Sequence, residues 1–208
     1  MTTLLLVLGS LAAIVIVPAL LMTYAIKGGK PGIARPAETF GATGKKVLVA
    51  YATKAGSTGE AALLIGRAIA ARGAVVDVKP VAEVETIANY EAFVLGTAIR
   101  AGQPVPEFLN FIKRHAAGFG GKPVAVFLLC MTLLKDTPEN RATVATYFAA
   151  VRKRIRPRHE GCFAGRMDYS RLNPLARWAA RDLVKVPEGD FRNRDAMEMW
   201  ANEVFELF

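Results

Sequence analysis

The stretch "VLVAYATKAGSTGEAALLIGRAIA", Val47 to Ala70, changes its period partway along. Up to Thr53 it is a β-branched, nearly continuous apolar run, the pattern of a short strand buried on both faces. Beyond Thr58 the apolar residues fall at Ala61, Leu64, Ile65, Ala68 and Ile69, which is helical spacing, with Gly73 placed to cap the end. Thr53-Lys54-Ala55-Gly56-Ser57-Thr58 joins the two. A tight turn alone accounts for such a junction. A second account is an anion site: the first N–H groups of a helix lack internal partners, and the helix dipole adds partial positive charge there. Hydroxyls of Thr53, Ser57 and Thr58 would supply further donors, and Gly56 would let the backbone approach closely. The stretch is not a Walker A loop, which ends in Gly-Lys-Ser/Thr, nor GxGxxG. A TxxGxT turn alone is a weak signal; its position between the first strand and the first helix strengthens it.

The same alternation continues outward. "AVVDVKPV", "AFVLGTAI" (Ala92 to Ile99), "PVAVFLLC" (Pro123 to Cys130) and "EGCFAGRM" read as four further strands. "VPEFLNFIKRHAAG" reads as a helix opened by Pro106 and Glu107, and "TPENRATVATYFAAVRKRI" as one with Thr137 as N-cap and Pro138 at its first position. The final "RDAMEMWANEVFELF" places Ala196, Trp200, Val204 and Phe208 on one stripe. Strands alternating with helices predict an α/β fold, a doubly wound five-stranded parallel sheet with helices on both faces. Ligands bind such sheets at the carboxyl ends of the strands, so the loops leaving the first, third and fourth strands are the ones that matter.

The chain has 208 residues, 52% of them hydrophobic, and a net charge of +9. From Met1 to Ile26 it carries no charged side chain, and an apolar run of about 20 residues suffices to cross a bilayer. A cleaved signal peptide would begin with a basic residue and have a shorter apolar core. Lys27, Lys30, Arg35, Lys45 and Lys46 all follow the run and none precedes it. The positive-inside rule then puts the N-terminus outside and the main domain in the cytoplasm. The expected organisation is a transmembrane anchor at 1–26, a Gly/Pro-rich linker at 27–44 and one domain at 45–208. Cys130 and Cys162 lack metal-ligand spacing and read as buried thiols in a reducing compartment. His115 and His159 sit in polar stretches and read as surface residues. No metal site or Ser-His-Asp triad is expected.

"TKAGST" after the first strand resembles the FMN phosphate loop of flavodoxins. "GTAIRAGQPVPEFLNFIKRHA", "TLLKDTPENRATVATYFAAV" and "CFAGRMDYSRLNPLARWAARDLVK" are similar to the flavodoxin-type, quinone-dependent protoporphyrinogen oxidases of bacteria. The resemblance runs from about Lys46 to the C-terminus, and its most specific parts are the Ile-Arg-x-Gly turn and the Ala-Gly-Arg-x-x-Tyr stretch. It implies one noncovalent FMN, a porphyrinogen substrate oxidised at the membrane, and a quinone acceptor. By that resemblance Thr53, Lys54, Ala55, Gly56, Ser57 and Thr58 would bind the FMN phosphate. Thr97, Ala98, Ile99, Arg100, Ala101 and Gly102 would form the second flavin loop, and Cys130, Met131 and Thr132 would approach the isoalloxazine. Arg100 is the candidate catalytic residue, contacting the ring or the substrate. Two positions depart from the family pattern: Ala55 replaces a hydroxyl residue, and Ala101 stands where an aromatic commonly stacks on the flavin.

Charge is uneven along the chain. Residues 151–185 hold ten Lys or Arg against three acids. Electron-carrier flavodoxins are acidic, so this stretch sets the chain apart from them. Nucleic acid is disfavoured as a partner, because no interleaved aromatic platform or reader motif accompanies the charge. "SRLNPLARWAARDLVK" can align Leu172, Leu175, Trp178, Ala179 and Leu183 on one face flanked by Arg171, Arg177, Arg181 and Lys185. That is the build of a helix lying on a lipid surface; a helix packed on the sheet is the alternative. For the whole chain, the alternatives to an enzyme are a membrane-tethered electron-transfer module and an anchored scaffold without cofactor.

Overall fold

In the computed structural model, which describes residues 32–208, the apolar runs become parallel strands and the periodic runs pack over them. The strands are β1 (Glu38–Phe40), β2 (Lys46–Ala52), β3 (Val75–Pro80), β4 (Ala92–Arg100), β5 (Gln103–Pro104), β6 (Val124–Cys130) and β7 (His159–Ala164), with a small ribbon of β8 (Arg166–Met167) and β9 (Gly189–Asp190). The helices are α1 (Ser57–Ala71), α2 (Pro106–His115), α3 (Pro138–Tyr147), α4 (Ala149–Arg152), α5 (Pro174–Trp178) and α6 (Arg194–Glu206). The expected membrane span, residues 1–26, and the start of the expected linker lie outside the described residues. Among the described residues no helix is long and apolar enough to cross a membrane.

Five parallel strands lie in the order β3-β2-β4-β6-β7. The chain moves outward from β2 to β3, then crosses back to β4, so the strand order reverses between β2 and β4. Residue alternation along β2 splits the core into two layers. Val47, Val49 and Tyr51 pack toward α1 and α6, with Ile65, Ile69, Trp200 and Val204. Leu48, Ala50 and Ala52 pack on the opposite face, with Phe108 and Ile112 of α2 and with Phe148 and Val151.

The sheet is wider than its five parallel strands. β1, inside the segment expected as linker, adds antiparallel to β3. Three residues are too few to show a period, and what fixes them is tertiary: Thr39 Oγ1 donates to Asp77 Oδ1 at 2.7 Å, and Phe40 packs on the core. The helix expected over 137–155 divides at Phe148 into α3 and α4. Thr143 and Thr146 donate their hydroxyls to the carbonyls of Glu139 and Thr143, a back-bonding that bends helices. The expected fifth strand stops at Ala164 and resumes after Gly165 in the separate ribbon. The histidines are less solvated than their neighbours suggest. His115 lies 4.7 Å from the Phe111 ring, and burial holds its pKa down. His159 stacks on Trp200 and meets Glu203 at 3.1 Å.

β4 turns back on itself immediately. Arg100 pairs with Gln103 across a two-residue turn in which both Ala101 (φ 47°) and Gly102 (φ 73°) are left-handed. Such turns favour Asn-Gly, because alanine bears a steric cost in the left-handed region. Ala101→Asn should therefore stabilise the protein by about 0.5–1 kcal/mol, seen as a thermal midpoint a few degrees higher; a lower midpoint would show that the turn does not tolerate the larger side chain.

Candidate functional site

The site lies at the carboxyl ends of β2, β4 and β6, on either side of the strand-order reversal. The first loop is shaped from within. Thr53 Oγ1 accepts from Gly56 N at 2.9 Å, and Gly56, at φ 89°, forms the helix N-cap position. Gly56 O then accepts from the N–H groups of Gly59 and Glu60. No side chain among the described residues caps α1. Thr58 lies in this first turn fully buried, and its Oγ1 has no hydrogen-bond partner. A buried hydroxyl left unpaired costs about 1–3 kcal/mol. An uncapped helix start beside an orphaned hydroxyl suits a bound phosphate, whose oxygens accept from both. The residues present therefore fit the phosphate of FMN.

The other members of the loop are committed elsewhere. Lys54 is buried to 8% exposure and forms an ion pair with Glu107 in the first turn of α2. It ties the first loop to the segment that follows the second. Ala55 offers its carbonyl to Arg171 Nη1 at 3.3 Å, and Ser57 offers its carbonyl to Arg192 Nη1 at 3.3 Å. The phosphate would thus be held by amides and hydroxyls, with cations behind the loop.

In the second loop Thr97 is fully buried and its Oγ1 accepts from Val105 N at 3.3 Å. Val105 N also donates to Ala98 O, so Thr97 and Ala98 lock the hairpin. Ile99 and Arg100 sit opposite Pro104 and Gln103, and Ala101 is exposed at the tip. Burial pulls the Arg100 pKa down and the nearby Glu107 opposes it. Glu107 therefore pairs with Lys54 and its charge also favours the Arg100 cation. Its acidity at a helix start was visible in the sequence; that it pairs with Lys54 was not.

The third loop, Cys130 to Thr132, leaves the end of β6. Cys130 packs inward against Leu133 and Val144, and burial raises its thiol pKa, as it does that of Cys162. Both cysteines are free and neutral, which argues against a thiolate role. Met131 is half-buried at the loop crest. Thr132 Oγ1 lies 3.1 Å from the Tyr147 hydroxyl, and a Cβ on Gly102 would come 3.5 Å from the Tyr147 ring. Tyr147 thus bridges the second and third loops. It reads in the sequence only as part of a helix.

A further element stands beside the site. Residues 168–188 leave and return through the β8–β9 ribbon, and Glu60 of α1 holds their base. Its carboxylate takes two bonds from Arg166, at 2.9 and 2.8 Å, and meets Arg192 at 2.9 Å and Arg171 at 3.3 Å. Burial would raise the Glu60 pKa, but the bonds from Arg166 and Arg192 outweigh it and the net shift is downward. A depressed carboxyl contributes stability above its unfolded pKa, and that contribution is lost as pH falls through the folded value. Glu60→Gln should remove it at neutral pH, about 1 kcal/mol for this partly exposed network. Limited proteolysis within 168–188 should then quicken by about five-fold, with no difference between variant and parent once the pH is low enough to protonate Glu60. Equal cleavage at neutral pH would mean the arginines hold without it.

A family model described as "Flavodoxin domain" matches residues 48–193. The protoporphyrinogen IX dehydrogenase [quinone] of Leishmania major is 32% identical over 154 residues, covering 70% of this chain. The chain spans 64% of that relative's length. The protein of the same name from Escherichia coli K12 is 28% identical over 146 residues, covering 68% of this chain and 77% of the relative. Among solved structures, oxidised flavodoxin 1 from Bacillus cereus superposes with a TM-score of 0.50 at 18% identity, over 79% of this chain and 99% of that one. A short-chain flavodoxin associated with a non-canonical PDU bacterial microcompartment gives 0.52 at 14% identity, over 78% of this chain and 98% of that one. At those identities the structures speak to the fold alone.

Proposed function

The chain belongs to the flavodoxin-domain family, and from that premise we propose that it is an FMN-dependent oxidoreductase that oxidises protoporphyrinogen and passes the electrons to a quinone. The observation that carries the flavin is the orphaned Thr58 hydroxyl at the uncapped start of α1. Support for the substrate and acceptor comes from the two relatives, whose names specify both. The FMN would be held at Thr53–Thr58 by its phosphate, with its ring between the loops 97–102 and 130–132. When bound, FMN supplies the capacity to accept a hydride and release electrons singly or in pairs.

The chain's own residues supply position and charge. Thr53 and Gly56 set the loop that receives the phosphate. The Lys54–Glu107 pair ties the first loop to the start of α2, just past the second loop, and Tyr147 lies against the second and third loops. Arg100 keeps a cation at the rim, suited to a substrate carboxylate or to negative charge on the ring. The uncharged run Met1–Ile26 would anchor the domain, leaving it on the cytoplasmic face near two lipid-soluble reactants. The test mixes FMN-loaded protein with chemically reduced protoporphyrin and a quinone under anaerobic conditions. Porphyrin fluorescence should rise well above the protein-free rate. A flavin-loaded protein that adds nothing to that rate would reject the oxidase reading and leave an electron-transfer module.

A further inference from the structure

Residues 168–188 carry an exposed apolar tip. Asn173 caps α5 by accepting from Ala176 N at 2.8 Å, and the helix then widens into a π turn over Ala179–Leu183. Val184 N closes that turn on Ala179 O at 2.9 Å. The five-residue spacing sets Trp178 and Leu183 about one turn apart. Lys185, at φ 54°, ends the helix. Trp178 is 53% exposed, Leu183 68% and Val184 65%; among the described residues the other exposed large hydrophobics are Met199 and Leu207. The alternative of a helix buried on the sheet therefore does not hold for these side chains. Arg177, Arg181 and Lys185 are exposed around them. Between Arg171 and Lys185 the single acid is Asp182, which pairs with Arg181.

What covers this tip follows from the path of residues 33–36. A Cβ built on Gly56 would lie 2.8 Å from Arg171 Nη1, 3.3 Å from Ile33 Cγ2 and 3.8 Å from Ala34 O. The N-terminal end of the described chain thus passes over the phosphate loop beside Arg171, at the base of the excursion. Tyr51 fixes it there by donating its hydroxyl to Pro36 O at 2.8 Å. Residues 27–32 separate this point from the uncharged run Met1–Ile26, and six residues reach about 20 Å at most. A domain of this size is roughly 40 Å across. A tether that short keeps any bilayer holding the run close to the pole where the excursion stands.

The geometry points to a second, peripheral contact with the bilayer. Trp178, Leu183 and Val184 enter the headgroup–acyl boundary of an anionic lipid surface, Arg177 and Lys185 meet its headgroups, and the carboxyl edge of the sheet faces the membrane. Aromatic and aliphatic side chains ringed by cations are the composition such contacts use. The inference rests on the anchored reading of the chain and adds an orientation to it.

The test uses the full chain reconstituted into vesicles of phosphatidylcholine and phosphatidylglycerol, with acyl chains brominated near the headgroup or unbrominated. The chain has two tryptophans, Trp178 and Trp200, and Trp200 is buried at 6% exposure, so Trp178→Phe reports the background. The ratio of emission in the two vesicle types cancels any quenching by flavin. Bromine should reduce the Trp178 contribution about two-fold or more. Leu183→Glu with Val184→Glu, which keeps the tryptophan, should abolish most of that loss. Equal ratios for the parent and Trp178→Phe in vesicles that carry the protein on flotation would overturn the contact and spare the anchor. Failure to float would overturn both. A blue-shifted Trp178 emission without bromine quenching would mean a protein surface covers the tip, which also contradicts the proposal. None of these readouts depends on substrate turnover.

Discussion

Thr58→Val should weaken FMN binding by about 10–100-fold and leave the ligand-free protein as stable as before, or more so. The two effects have opposite signs for one reason. In the ligand-free fold the Thr58 hydroxyl is buried without a partner, and replacing it by a methyl group of similar volume removes an unmet donor. Toward a phosphate the same hydroxyl supplies a charge-assisted hydrogen bond, whose loss is worth about 1.5–3 kcal/mol. Flavin fluorescence quenched on titration measures the first effect, and thermal melting of flavin-free protein measures the second. A variant that binds FMN as the parent does would show that the hydroxyl points away from the ligand. Reduced affinity together with a markedly lower melting point would mean the residue is structural.

The largest loss of stability should come from Gly96→Ala. Gly96 lies within β4 (Ala92–Arg100), and a Cβ there would sit 2.1 Å from the Phe127 ring tip and 2.4 Å from the next ring atom. Phe127 is fully buried and packs edge-on against Trp200 at 6.0 Å. Trp200 in turn lies over Gly161, where a Cβ would meet the indole at 2.6 Å. Two glycines thus make room for two edge-to-face aromatics between the sheet and α6, and a Cβ at either position presses a ring toward its neighbour. Overpacking of a closed core costs about 1–3 kcal/mol, more where nothing gives. A loss near 3 kcal/mol lowers the melting point of a chain of this length by about 6–12 °C. Gly96 precedes Thr97 of the second loop, so a displaced β4 should also loosen FMN. A melting point unchanged within error would show that the Phe127 ring has another place to go.

The parts that were legible in the sequence are those fixed by period and by local chemistry. The strand runs at Val47, Ala92 and Val124 are buried on both faces and stand out as continuous apolar segments. Thr137 caps its helix by accepting from Asn140 N, and Gly73 takes the positive φ its position suggested. The missing parts depend on contacts between distant residues. β1 needs Asp77 and the core beneath Phe40, and neither is close to it in the chain. The Lys54–Glu107 pair joins residues that look like an ordinary loop lysine and an ordinary first-turn acid. Glu60 reads as a helix-start acid, yet it gathers three arginines from more than a hundred residues away. Composition along 151–185 shows a basic stretch. It does not show that Arg152, Arg166, Arg171 and Arg181 have carboxylate partners, leaving the excursion tip as the place where charge and apolar surface meet.

A flavin phosphate held at the start of α1 underlies the proposed redox chemistry, and the visible spectrum of the purified chain tests it most directly. Protein extracted in detergent and supplied with FMN should carry the flavin bands through gel filtration, release about one FMN per chain on denaturation, and lose most of that load with Thr58→Val. A chain that emerges colourless after the same treatment would contradict it.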